Sequence, residues 1–148
     1  DDQDRSLWDT SLIEKGNYYL VAACHGNTLT AYHLEAAIAY WHCAPPSDKK
    51  WKHILQLYDE LIAIHPSPVR ALNRAFALSK VHGNNITIPE VERLRFEQRC
   101  DYHALLGYLY SKGDPVKAEM HYAHAIELTE SELEKRTFAK AIEQLKKG

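Results

Sequence analysis

Nine histidines in a chain of 148 residues are the first feature that could carry chemistry. His121 and His124 stand three positions apart, so a helix would place both on one face, where they could share a metal ion. A third ligand would have to come from another segment, and no Glu completes the H-E-x-x-H arrangement of a helical zinc site. His42 adjoins Cys43, and neighbouring side chains on a helix point in different directions. His25, His53, His65, His82 and His103 fall mainly where helices are expected to end, positions at which His often bonds terminal carbonyls. Surface and capping histidines without a metal are the expectation. A His-dependent metalloenzyme is the alternative, and it predicts stoichiometric metal and loss of activity in His121→Ala. Other catalytic patterns are missing: there is no Gly-rich phosphate loop and no G-x-S-x-G elbow. The acid pairs Asp1-Asp2 and Asp59-Glu60 are adjacent on the chain and would diverge on a helix. The chain reads as a non-enzyme with no cofactor.

Hydrophobic residues make up 45% and charged residues 26% of the chain, a balance that suits one globular domain spanning residues 1–148. The net charge is −2, and the basic tail Lys135-Arg136, Lys140 and Lys146-Lys147 is interleaved with Glu132, Glu134 and Glu143. That is a solvated helix face, and direct DNA binding by phosphate neutralisation is not expected. No apolar run approaches the ~20 residues of a membrane-spanning helix, so no membrane partner is expected. The start, Asp1-Asp2-Gln3-Asp4-Arg5, has no signal-peptide profile and no Met, and reads as a fragment or a processed product. Three widely spaced cysteines, Cys24, Cys43 and Cys100, fit a reducing cytoplasm.

The periodicity is helical almost throughout, and about eight helices are expected. They run over Ser6–Cys24, Thr30–Cys43, Trp51–Ile64, Pro68–Val81, Pro89–Arg99, Asp101–Lys112, Pro115–Leu128 and from Thr129 to the Lys-rich end. Ser67-Pro68 and Asp114-Pro115 are N-cap and first-turn pairs, and Asp101 is a further expected N-cap. His82-Gly83-Asn84-Asn85 is a stop signal, and the one β-like run, Ile86-Thr87-Ile88, is ended by Pro89. Short connections predict antiparallel helical hairpins.

Leu105, Gly107, Gly113-Asp114, Ala118, Tyr122 and Ala125 fall at the spacing of a tetratricopeptide repeat of about 34 residues. Ile54, Tyr58, Leu61 and Pro66 repeat its second helix, Val69, Leu72, Ala75 and Phe76 its next first helix, and Ala36, Tyr40 and Cys43 a third fragment. The first-helix Gly is displaced by one position, and Glu130 stands where the closing Pro belongs. The expected fold is all-α: helical hairpins stacked as a tetratricopeptide-like right-handed solenoid. Trp41, Trp51, Tyr58 and Phe76 would fill gaps between helices. In that register Arg70, Asn73, Lys80, His103 and Tyr110 project from first helices onto the concave face, where they could hold an extended peptide. An ordinary wet helix surface accounts for the same residues equally well.

Several strings carry a more specific likeness: Asp2-Gln3-Asp4-Arg5-Ser6-Leu7-Trp8-Asp9, Tyr32-His33-Leu34-Glu35-Ala36-Ala37-Ile38-Ala39, Leu57-Tyr58-Asp59-Glu60-Leu61, and Pro66-Ser67-Pro68-Val69-Arg70-Ala71-Leu72-Asn73-Arg74-Ala75. Together with Tyr102-His103-Ala104 and the Ala118/Tyr122/Ala125 helix, they make nearly the whole chain resemble the C-terminal tetratricopeptide-like extension of bacterial extracytoplasmic-function RNA polymerase sigma factors. The resemblance implies a regulatory, protein-interacting module that follows two sigma regions in one polypeptide. Its partners would be those sigma regions or RNA polymerase, and its effect would fall on transcription initiation. The positions carried over by motif are Asp4, Arg5, Trp8 and Asp9 near the junction, then Pro68, Asn73 and Arg74. A structural role would serve as well: Asn73 bonding backbone between helices, Arg74 pairing with Asp59 or Glu60. A free-standing helical-repeat adaptor that binds a peptide in trans is the runner-up.

Overall fold

A computed structural model describes residues 27–148. The expected first helix, Ser6–Cys24, and the motif residues Asp4, Arg5, Trp8 and Asp9 lie outside the described residues. Among those described, the chain is all-helical, with seven α-helices and no strand. They are α1 (Asn27–Cys43), α2 (Asp48–Ile64), α3 (Pro68–His82), α4 (Asn84–Leu94), α5 (Cys100–Tyr110), α6 (Pro115–Leu128) and α7 (Glu132–Lys147). None is long and apolar enough to cross a membrane.

Local sequence explains most of the helix starts. The Oγ atoms of Ser47, Ser67 and Ser131 accept from the N–H groups of Lys50, Arg70 and Glu134. Oδ1 of Asp114 accepts from Lys117 N–H in the same way. Each satisfies a first-turn donor that has no partner within the helix. Pro68 and Pro115 are the first residues of their helices, as expected.

The largest departures from the expected boundaries are at α4, and the cap of α5 also differs. Helix α4 opens at Asn84, directly after Gly83 at φ 93°, and so absorbs both the Ile86-Thr87-Ile88 run and Pro89. The cause is tertiary. Thr87 and Val91, four residues apart, are both fully buried, and Thr87 Oγ1 donates to the Gly83 carbonyl. Pro89 has no N–H for the Asn85 carbonyl, but both residues lie on the exposed face, where water can serve that oxygen. The helix ends at Leu94 rather than Arg99, with Arg95 in the left-handed conformation at φ 59°. Helix α5 is capped by Arg99, not Asp101. Both Asp101 carboxylate oxygens instead accept from the Arg99 guanidinium at 2.9 Å.

The described residues fall into two compact units, one ending at Ala77 and the other covering residues 78–148, with the boundary inside α3. In the first unit, Ala31, Leu34, Ile38, Ile54, Tyr58, Leu61 and Ala77 form a buried cluster, with Trp41 and Trp51 packed against it. The rings of Trp51 and Phe76 meet edge to face at 5.5 Å, and the Arg74 guanidinium pairs with Asp59, one of its two expected partners. In the second unit α6 packs against both α5 and α7. Its Ala118 and Ala125 are fully enclosed, and Tyr122 lies between them, stacked 6.1 Å from Phe138 of α7. Helix α7 buries none of its residues completely, leaving Leu133 71% exposed.

Candidate functional site

The first unit carries an open groove of about 570 Å³ between α1 and α3, with α2 beneath. Ile38, Leu61 and Val69 give it an apolar floor and flank, and Glu35, Arg70 and Asn73 stand along it. Helix periodicity places these groups. Glu35, Ile38 and Ala39 share one face of α1, and Val69, Arg70 and Asn73 share one face of α3.

The polar residues of the groove are tied to one another. Arg70 donates from one amino group to the His65 carbonyl at 2.8 Å and from the other to the Glu35 carboxylate. That pair joins α3 to α1 across 35 residues of sequence and neutralises both charges. Asn73 hydrogen-bonds the Tyr58 hydroxyl; burial first, and Glu35 next among the acidic influences, pushes the Tyr58 phenol up from its ordinary value. At the end of α1, Lys50 Nζ donates to the carbonyls of His42 and Ala44, a cation at the negative end of the helix dipole. Burial and then Lys50 hold His42 below the usual histidine range. What remains open to a partner is chiefly apolar, with Val69 47% exposed.

Of the five residues expected on a peptide-binding face, Arg70 and Asn73 line this groove. Lys80, His103 and Tyr110 belong to the second unit. Lys80 Nζ donates to the Tyr108 hydroxyl at 2.9 Å, and Tyr110 donates to Glu92 Oε2 at 2.9 Å. Burial, followed by that carboxylate, pushes the Tyr110 phenol up to about 12. His103 is a correction. It is only 6% exposed and sits inside α5, so it is neither a helix-end cap nor a surface that a peptide could touch. His53 likewise lies within α2, its ring stacked 4.3 Å from Trp41. His65 and His82 are at helix ends as expected.

His121 and His124 do share a face, and His103 joins them, yet no group of three His, Cys, Asp or Glu side chains among the described residues is arranged to hold a metal ion. Cys43 and Cys100 are half-buried thiols, neither in a disulfide. Sequence reasoning missed the parts of the groove supplied by Glu35, Tyr58 and Val69. The 35-residue separation of Glu35 and Arg70 exceeds any helical period, so only the packed helices bring them together.

A protein of Rhizobium meliloti (strain 1021), named as uncharacterized, is 35% identical to this chain over 133 residues. The match covers 86% of this chain and 31% of the relative, so the chain spans about a third of that protein's length. No described protein family matches the chain, and no solved structure matches it.

Proposed function

We propose that the chain is a protein-interaction and regulatory module of the kind that follows the sigma regions in extracytoplasmic-function sigma factors, and that it adjusts transcription initiation by contact with those regions or with RNA polymerase. The observation that carries the reading is the groove between α1 and α3. Its Glu35 and Arg70 charges are mutually paired and its free surface is chiefly apolar, a composition suited to seating apolar side chains of a protein segment. Two of its walls come from the strings that bear the family likeness, Tyr32–Ala39 and Pro66–Ala75. The Rhizobium relative, about three times as long as the matched part, supports a module placed within a longer polypeptide.

The same proposal takes the helices as tetratricopeptide-like antiparallel hairpins stacked in a right-handed solenoid. The buried Ala118/Tyr122/Ala125 set supports it, as small residues allow close approach of two helices and the aromatic fills the remaining gap.

Val69→Asp tests the groove. The side chain is about half exposed, so the domain keeps its fold, whereas a carboxylate against an apolar partner costs at least the ~1–3 kcal/mol of an unpaired neutral polar group and weakens the contact at least roughly fivefold. Arg70→Glu is a poorer probe, as it would set two carboxylates against each other at Glu35. In transcription reconstituted with the complete sigma polypeptide, Val69→Asp is expected to change promoter output several-fold with an unchanged helical circular dichroism spectrum. Equal output from both proteins contradicts the groove's role.

A further inference from the structure

Four rings form a ladder in the second unit. Tyr110 lies 5.8 Å from His121, His121 5.3 Å from His103, and His103 5.0 Å from His124, with interplanar angles of 4°, 30° and 28°. The hydrogen bonds within the ladder determine where its protons sit. His103 Nε2 is 2.8 Å from the Glu97 carbonyl oxygen, which can only accept, so Nε2 carries hydrogen. His103 Nδ1 is 3.0 Å from His121 Nδ1, and one of these two nitrogens must donate to the other. With both rings neutral, His121 donates and His103 accepts. With one positive charge on the pair, the single proton between the two Nδ1 atoms still makes the bond. A second charge puts N–H against N–H.

We propose that the His103–His121 pair is an acid-sensitive latch that ties α5, and through Glu97 the α4–α5 connection, to α6. The latch holds while the pair carries at most one extra proton and opens when both imidazoles are charged.

The surroundings favour the closed form at neutral pH. His103 is almost fully enclosed, with Tyr102 edge-on at 5.1 Å. Lys117 lies over Tyr110 at 5.4 Å, and His124 is at the far end of the ladder, 3.8 Å from Glu127. The opposing anions are Glu92 of α4, which accepts from Tyr110, and Glu97, whose carboxylate is paired with Arg95. Burial, then His103 and His124, hold His121 below the ordinary histidine value of 6.5, with Glu92 pulling the other way.

The sign follows from proton linkage. Below the unfolded histidine value of about 6.5 both imidazoles of the unfolded pair take up protons, whereas the closed pair has room for only one. Stability is therefore lost as pH falls through that region, by up to about tenfold in the folded-to-unfolded ratio per pH unit for one linked proton.

The test compares urea unfolding of the full chain and of His121→Gln at steps between pH 8 and pH 5, with imidazole nitrogen shifts of the folded wild type read by NMR. The wild type is expected to lose more of its folded-to-unfolded ratio per pH unit than the variant below pH 6.5. The NMR titration is expected to show His103 protonated on Nε2 and His121 titrating below 6.5. An acid dependence unchanged in His121→Gln overturns the latch. So does a folded wild type that carries charge on both imidazoles, at positions 103 and 121, with its stability undiminished, a result the wild type alone supplies if the variant fails to fold.

Discussion

Leu106→Ala is expected to lower the stability of the second unit by about 3 kcal/mol, within the usual 2–5 kcal/mol for removing a buried leucine side chain. Leu106 is 0% exposed on α5, a helix that packs against α6. Truncation removes its transfer free energy and leaves a cavity in the packed interior. Leu133→Ala is the control: the same chemistry at a 71% exposed position should change stability by no more than about 0.5 kcal/mol. Chemical denaturation followed by far-ultraviolet circular dichroism reads the difference. No tryptophan follows Trp51, so tryptophan fluorescence is no direct probe of the second unit. A loss below about 1 kcal/mol for Leu106→Ala would mean that the α5–α6 contact is not closed.

Gly107→Val is expected to cost about 3 kcal/mol, at the upper end of overpacking effects. A Cβ at Gly107 would stand 2.8–2.9 Å from three atoms of the Tyr122 ring. That ring is buried and backed by Phe138 of α7, so it cannot swing away without opening the α6–α7 contact. Glycine at this point lets α5 and α6 approach closely, and the need is steric rather than one of backbone angle. Alanine would suffer the same contact but regain about 1 kcal/mol of helix propensity, so valine is the sharper probe. Gly113→Val supplies the comparison, as a Cβ there meets nothing within 4 Å. Adding Tyr122→Ala should make Gly107→Val far less costly than it is alone, and strict additivity in that double-mutant cycle would refute the contact.

The Gly107–Tyr122 contact shows what was legible in the sequence. Gly107, Ala118, Tyr122 and Ala125 are recognisable as packing residues because their sizes alternate at helical spacing. The helix starts at Ser67-Pro68 and Asp114-Pro115 are readable because capping is local. Pro89 misled for the opposite reason. A proline is a local breaker, but burial of Thr87 and Val91 on the other face outweighs the one hydrogen bond it removes. The histidines were the hardest to read. Spacing brings His121 and His124 together, whereas His103 reaches them from 18 residues away, a distance without a periodic signature. The groove is similar. Arg70 and Asn73 could be placed on its wall, but Glu35 and Tyr58, which occupy their polar groups, enter only through packing of three helices.

Sequencing the reading frame upstream of Asp1 in the source genome tests the proposal that this is a regulatory module following sigma regions in one polypeptide. Two helical sigma regions encoded in frame ahead of Asp1 are expected. An upstream frame that encodes no such regions would contradict the proposal.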